Sequence, residues 1–140
     1  MECRVKWVDN MCFLAETGSG HAVVMDTSPD YGGHNLGVRP MELLLAGMGG
    51  CTSVDMISIL RKGRFDVRGC EVEVKGERAS KPPKVYTQIH VHYRITGRKI
   101  PADRIERAIE LSSDKLCSAS IMLGKAATVT HDYEYMEVES

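Results

Sequence analysis

Residues 3–8, CRVKWV, alternate apolar and polar side chains and predict a strand. Asp9-Asn10 is a turn signal. CFLAET (12–17) predicts a second strand, GSG (18–20) a tight turn, and HAVVMD (21–26) the hairpin partner. Residues 27–39, TSPDYGGHNLGVR, have no periodicity and predict a long loop. Pro40 suits the first turn of a helix. The helix predicted from Met41 to Lys62 is apolar on nearly every side, through Leu43, Leu44, Leu45, Met48, Val54, Met56, Ile57, Ile59 and Leu60. That pattern marks a central helix rather than a superficial one. Gly47, Gly49 and Gly50 each weaken it by roughly 1 kcal/mol relative to alanine. Three in four residues predict a kink, a break or close approach to a partner. Gly63 is the expected C-cap.

CEVEVKGE (70–77) alternates, with Cys70, Val72 and Val74 on one face. SKPPK (80–84) predicts a hairpin loop. VYTQIHVHYRI (85–95) then points Val85, Ile89, Val91, Tyr93 and Ile95 inward and Tyr86, Gln88, His90, His92 and Arg94 outward. Pro101 opens a second helix, ADRIERAIELSSDKL, and SASIMLGKA continues as a short one. TVTHDYEYMEVE (128–139) predicts a final strand. Three strands, a helix, two strands, helices and a strand make an α+β fold with an antiparallel sheet.

A chain of 140 residues fits one domain, 1–140, and can bury about 65–70% of its unfolded surface. Apolar content of 43%, charged content of 26% and a net charge of −1 are those of an ordinary globular protein, and argue against nucleic acid or an anionic membrane as partner. No apolar run follows the basic residues of MECRVKWVDN, so no secretory leader is expected. Leu43–Leu60 comes nearest to a membrane span, but Asp55 and the small polar residues favour a core helix. The five cysteines include no CxxC pair, which argues against structural zinc. Their odd number and the absence of a leader favour reduced thiols in the cytoplasm.

Cys51 and Cys117 share one setting. Each lies on a helical segment among small residues, GGCTS and CSAS, with hydroxyls close to the sulfur. Two readings follow from the residues alone: small buried packing groups, or a redox pair. In the second, one thiolate attacks a peroxide and becomes a sulfenic acid, and the other thiol condenses with it to a disulfide. Cys3, Cys12 and Cys70 fall in strand patterns and read as packing residues.

RPMELLLAGMGGC and KLCSASIMLGKAATVTHDYEY resemble the two cysteine regions of the OsmC/Ohr superfamily, the osmotically inducible and organic hydroperoxide resistance proteins. Pro40 stands eleven residues before Cys51, the family's spacing, and Cys117-Ser118-Ala119-Ser120 matches the second motif, Cys-Pro-x-Ser. The order of elements matches over nearly the whole chain. The resemblance implies an intertwined homodimer with antiparallel sheets wrapped around two long central helices. It implies a thiol-dependent peroxidase that reduces organic hydroperoxides in oxidative-stress defence. Cys51 would be the peroxidatic and Cys117 the resolving residue, with a dithiol reductant as partner and no cofactor or metal.

Two departures mark a divergent branch. Met41 stands where the family has a glutamate that positions an activating arginine, and Ser118 replaces a proline. Arg39, at the helix start, is the candidate for activating the thiolate, and Glu42 the candidate for positioning it. Each also has a plain reading, as a solvated charge and as a helix-dipole partner. Gly47, Gly49 and Gly50 would open a pocket lined by Leu44, Met48 and Met56, suited to an alkyl hydroperoxide. Asp55 needs a partner on an apolar helix, in the substrate cleft or across the dimer. His90 and His92 are two ligands with no carboxylate or thiol beside them in the sequence. The alternative function is a non-catalytic module of the same fold that binds an apolar small molecule.

Overall fold

The computed structural model describes residues 1–139. The chain forms two compact units, Met1–Leu44 and the remainder from Leu45.

The first unit is an antiparallel sheet of β1 (Cys3–Asp9), β2 (Cys12–Thr17) and β3 (Ala22–Met25), in that order. Asn10 makes the first turn at φ 48° and Gly20 the second at φ 89°, conformations that Asn and Gly tolerate best. β1 is exposed along its whole length, Cys3 included, so Cys3 does not pack as its alternating pattern suggests.

The loop after β3 is ordered around the buried Asp26. Its carboxylate accepts from the backbone N–H of Thr27 (2.7 Å), Leu36 (3.1 Å) and His34 (3.2 Å). Burial pushes this carboxyl up. The N–H groups of Leu36, Thr27 and His34 outweigh that push and hold it below the ordinary carboxylate range. A lowered native pKa stabilises the fold above the unfolded value, and the contribution is lost as pH falls through the native one. Amide exchange at Thr27, His34 and Leu36 is therefore expected to accelerate on acidification below about pH 4, and Asp26→Asn should remove that acid dependence.

The second unit begins within α1 (Pro40–Lys62), which runs unbroken through its three glycines. One stripe at every fourth residue, Met48, Thr52, Met56 and Leu60, is fully buried. The helix ends in a left-handed turn. Phe65 N–H donates to Leu60 O and Arg64 N–H to Arg61 O. Arg64, not Gly63, takes the positive φ of 62°. Gly63 is required for a different reason: a Cβ there would stand 2.6 Å from the Phe65 ring.

β4 (Asp66–Arg78) and β5 (Tyr86–Arg98) form a long antiparallel hairpin. A chain of helical segments follows: α2 (Ala102–Leu111), a π-helical turn (Ser112–Leu116) and α3 (Ser118–Gly124). They lead to β6 (Thr128–Glu137), which pairs with β5 in parallel. The α+β class stands, but this sheet is mixed rather than wholly antiparallel. Parallel neighbours need a long crossover, and the helices between β5 and β6 provide it.

Ile89, Val91, Tyr93 and Ile95 alternate into the core. Near the hairpin the alternation breaks. Glu77 pairs with Gln88 and Arg78 with Tyr86, so Thr87 is an extra residue. Such a bulge turns the preceding side chains over. Tyr86 is therefore buried across Gly76 and Val85 is exposed, the reverse of the simple pattern. On the outer face, parallel pairing sets His92 beside Asp132 and Arg94 beside Glu134. Asp132 Oδ1 lies within hydrogen-bond distance of both His90 Nε2 (2.9 Å) and His92 Nδ1 (2.6 Å). The two histidines thus do have a carboxylate neighbour, supplied by a strand 40 residues away.

Candidate active site around Cys51 and Cys117

Cys51 lies on α1, half-buried, and Cys117 is fully buried at the start of α3. The sulfurs of Cys51 and Cys117 and a carboxylate oxygen of Asp55 lie within 4.8 Å of one another. Local structure explains the convergence. Cys51 and Asp55 are one helical turn apart and share a face. Cys117 is delivered by the π turn, whose hydrogen bond runs from Cys117 N–H to Ser112 O at 2.7 Å. A π turn widens the helix where a side chain must be redirected.

Cys117 is also the N-cap of α3. Its sulfur accepts from the Ser120 hydroxyl (3.1 Å) and the Ser120 N–H (3.4 Å). Burial pushes the Cys117 thiol up. Ser120 partly offsets this, and neighbouring Cys51 pushes it further, leaving it above its ordinary value. Cys117 therefore stays protonated at neutral pH. Both cysteines are unbridged, as is Cys70, whose thiol burial also pushes up.

A chain of hydroxyls runs alongside. Thr52 Oγ1 bonds Tyr93 Oη and Ser112 Oγ, each at 2.7 Å, and Ser112 Oγ donates to Asp55 Oδ2 at 3.3 Å. Thr52, Ser112 and Tyr93 are fully or almost fully buried. Asp55 thus finds its partner within the chain. Thr52 and Ser120 stand in the GGCTS and CSAS stretches. Ser112 and Tyr93 carry no local signal and are joined to the site only by the fold.

The other expected site residues are placed differently. Glu42 Oε1 accepts from the Arg39 backbone N–H at 2.8 Å. With Arg39 preceding the helix and Pro40 as its first residue, Glu42 is the third helical position. Its side chain closes one half of a capping box. It engages the Arg39 main chain, while the Arg39 guanidinium donates to Asn35 Oδ1 (2.9 Å) and Gly37 O (3.2 Å). Met48 and Met56 are fully buried two turns apart on the core stripe, and Leu44 is 45% exposed, so the methionines fill the interior and do not line an open pocket. Of the three helix glycines only Gly49 comes close to a neighbour, since a Cβ there would stand 3.2 Å from Val74, while Gly47 and Gly50 face open space.

Residues 33–132 match the family model of OsmC-like proteins. The chain belongs to the OsmC-like family. It is 42% identical to Protein YhfA of Escherichia coli K12 over 134 residues, covering 96% of this chain and 97% of that protein. A solved structure of a hypothetical protein from Aquifex aeolicus VF5 superposes with a TM-score of 0.80 at 30% identity, covering 97% of both chains. An organic hydroperoxide resistance protein OsmC from Legionella pneumophila superposes with a TM-score of 0.73 at 15% identity, over 96% of this chain and 97% of that one. At that identity the last likeness speaks for the OsmC fold alone. In this chain the fold brings the Cys51 and Cys117 thiols close together.

Proposed function

We propose that this OsmC-like protein reduces organic hydroperoxides through Cys51 and Cys117. The observation that carries the reading is the approach of these two unbridged sulfurs, one half-buried and one fully buried. The more accessible Cys51 meets the peroxide first. Its thiolate attacks the distal oxygen, the O–O bond breaks, and the alkoxide takes a proton to leave as alcohol. Cys51 is then a sulfenic acid. The Cys117 thiolate attacks that sulfur, hydroxide leaves and takes up the Cys117 proton as water, and a Cys51–Cys117 disulfide remains. A dithiol reductant returns both to thiols by exchange. Holding Cys117 protonated until that point protects it from direct oxidation, since the thiolate is the reactive form.

The experiment is a thiol count on the reduced protein mixed with cumene hydroperoxide. Loss of two thiols per chain supports the reading. An unchanged count at excess hydroperoxide overturns it and leaves a binding module of the same fold.

The working unit we propose is a homodimer. α1 is apolar enough, at a mean hydropathy of 1.6, to cross a bilayer by length and composition alone, yet only 28% of its most apolar stretch is buried within the chain. Val54 is 69% exposed, in line with the open face of Gly47 and Gly50. Packing that face against its symmetry mate would bury it in the way isologous interfaces do. Light scattering should give twice the 15.5 kDa chain mass, and Val54→Asp should shift the protein toward single chains.

A further inference from the structure

Asp55 has no part in the peroxide chemistry above, yet one of its carboxylate oxygens lies within 4.8 Å of both sulfurs. A metal ion that displaced the two thiol protons would meet two sulfurs and a carboxylate oxygen lying within 4.8 Å of one another. The donors themselves indicate which cation. Two thiolates and one carboxylate suit a borderline-soft divalent ion, zinc above all, and suit magnesium or calcium poorly. In a tetrahedral zinc site two sulfurs and a carboxylate oxygen stand roughly 3.5–3.8 Å apart, given metal–ligand lengths of about 2.0–2.3 Å. Atoms already within 4.8 Å of one another need to close by at most about 1 Å to reach this geometry.

The surroundings are those of a supported ligand set. Ser112 Oγ donates to Asp55 and is itself fixed by Thr52. Ser120 gives two hydrogen bonds to the Cys117 sulfur. Partners of this kind orient metal ligands and tune their affinity. Cys51 and Asp55, one turn apart on α1, present two ligands from a rigid element, and Cys117 closes the set from α3. We propose that Cys51, Asp55 and Cys117 form a zinc site in the reduced protein, with the fourth coordination position open. The absence of a CxxC motif is no obstacle, because the i, i+4 pair and the distant cysteine are assembled by the fold. Zinc held there occupies both thiolates, so metal binding and hydroperoxide reduction exclude each other. The site stands on the ligand geometry and holds whether or not the thiols reduce peroxides.

The test uses the full reduced chain, without oxygen or peroxide, titrated with Co²⁺ as a spectroscopic probe. The expected result is a single Co²⁺ per chain with thiolate-to-cobalt charge transfer in the near ultraviolet and tetrahedral d–d bands, all displaced by Zn²⁺. Asp55→Asn, which replaces a charged ligand by a neutral amide, should weaken binding by at least about 10-fold, the lower end of what losing an outer partner of a ligand costs, while Cys70→Ser leaves the spectrum unchanged. A missing charge-transfer band at saturating Co²⁺, an Asp55→Asn affinity equal to the parent, or a band lost in Cys70→Ser would each overturn the site. If the Asp55 variant does not fold, as judged by circular dichroism, the parent protein decides. Zn²⁺ should shield the half-buried Cys51 from iodoacetamide, and a chelator should expose it again; equal alkylation of Cys51 with and without Zn²⁺ overturns the proposal. Because no peroxide is used, a protein that binds Co²⁺ but ignores cumene hydroperoxide upholds this site and removes only the peroxidase reading.

Discussion

Cys51→Ser is expected to abolish hydroperoxide-driven thiol loss, taking the count from two per chain to none. Cys117→Ser is expected to behave differently. Cys51 still reacts, one thiol is lost, and the product is a sulfenic acid that dimedone traps. With no neighbour to condense with, further hydroperoxide drives it to the sulfinic acid, which a dithiol does not reverse. The asymmetry follows from placement. Cys51 is half-buried on α1, whereas Cys117 is buried, bonded to Ser120 and held protonated. The measurement is intact mass after timed exposure to cumene hydroperoxide, with and without dimedone. Equal losses of reactivity in the two variants would mean that the roles are not divided in this way.

Thr52→Val should destabilise the protein by about 1–3 kcal/mol, the usual cost of leaving a buried polar group unpartnered. The substitution keeps the shape and removes one oxygen. That oxygen bonds Tyr93 Oη and Ser112 Oγ, each at 2.7 Å. Ser112 retains Asp55, but Tyr93 loses its hydroxyl partner in a fully buried position. Removing both ends of the Thr52–Tyr93 bond, in Thr52→Val with Tyr93→Phe, should recover part of the loss, since no orphaned hydroxyl then remains at that end. Urea unfolding of the single variants and the pair, analysed as a double-mutant cycle, checks this. Simple addition of the two single effects would show that the bond carries little of the site's rigidity.

Much of the architecture is legible in periodicity, because local pattern and burial agree there. The pattern over residues 12–17 predicts the strand that forms at Cys12–Thr17, and α1 begins one residue before its expected start. The disagreements share a cause, which is that a distant strand or a turn overrides the local pattern. The bulge at Thr87 reverses Tyr86 and Val85, and no feature of VYTQIH announces it. β4 starts at Asp66, earlier than the alternation of CEVEVKGE suggests, because β5 continues to Arg98 and supplies it with hydrogen-bond partners. Parallel pairing of β6 with β5 is likewise set by the helical crossover. At the site, the two sulfurs sit in recognisable stretches, and so do Thr52 and Ser120. Ser112 and Tyr93 are invisible from their neighbours in sequence, since they reach Thr52 across 60 and 41 residues. Glu42 illustrates the converse. Its position one step after the family's glutamate is accounted for by a local task, closing the helix N-terminus on the Arg39 main chain.

The fold holds five unbridged cysteines, and Cys70 is half-buried in the same unit as the proposed pair. Peptide mapping without reduction, after one equivalent of cumene hydroperoxide per chain, identifies which of them join. A single cross-link between the peptides of Cys51 and Cys117, reversed by a dithiol, is the expected outcome. A link through Cys70, or an over-oxidised Cys51 beside a free Cys117 thiol, would contradict the pairing on which the proposed chemistry depends.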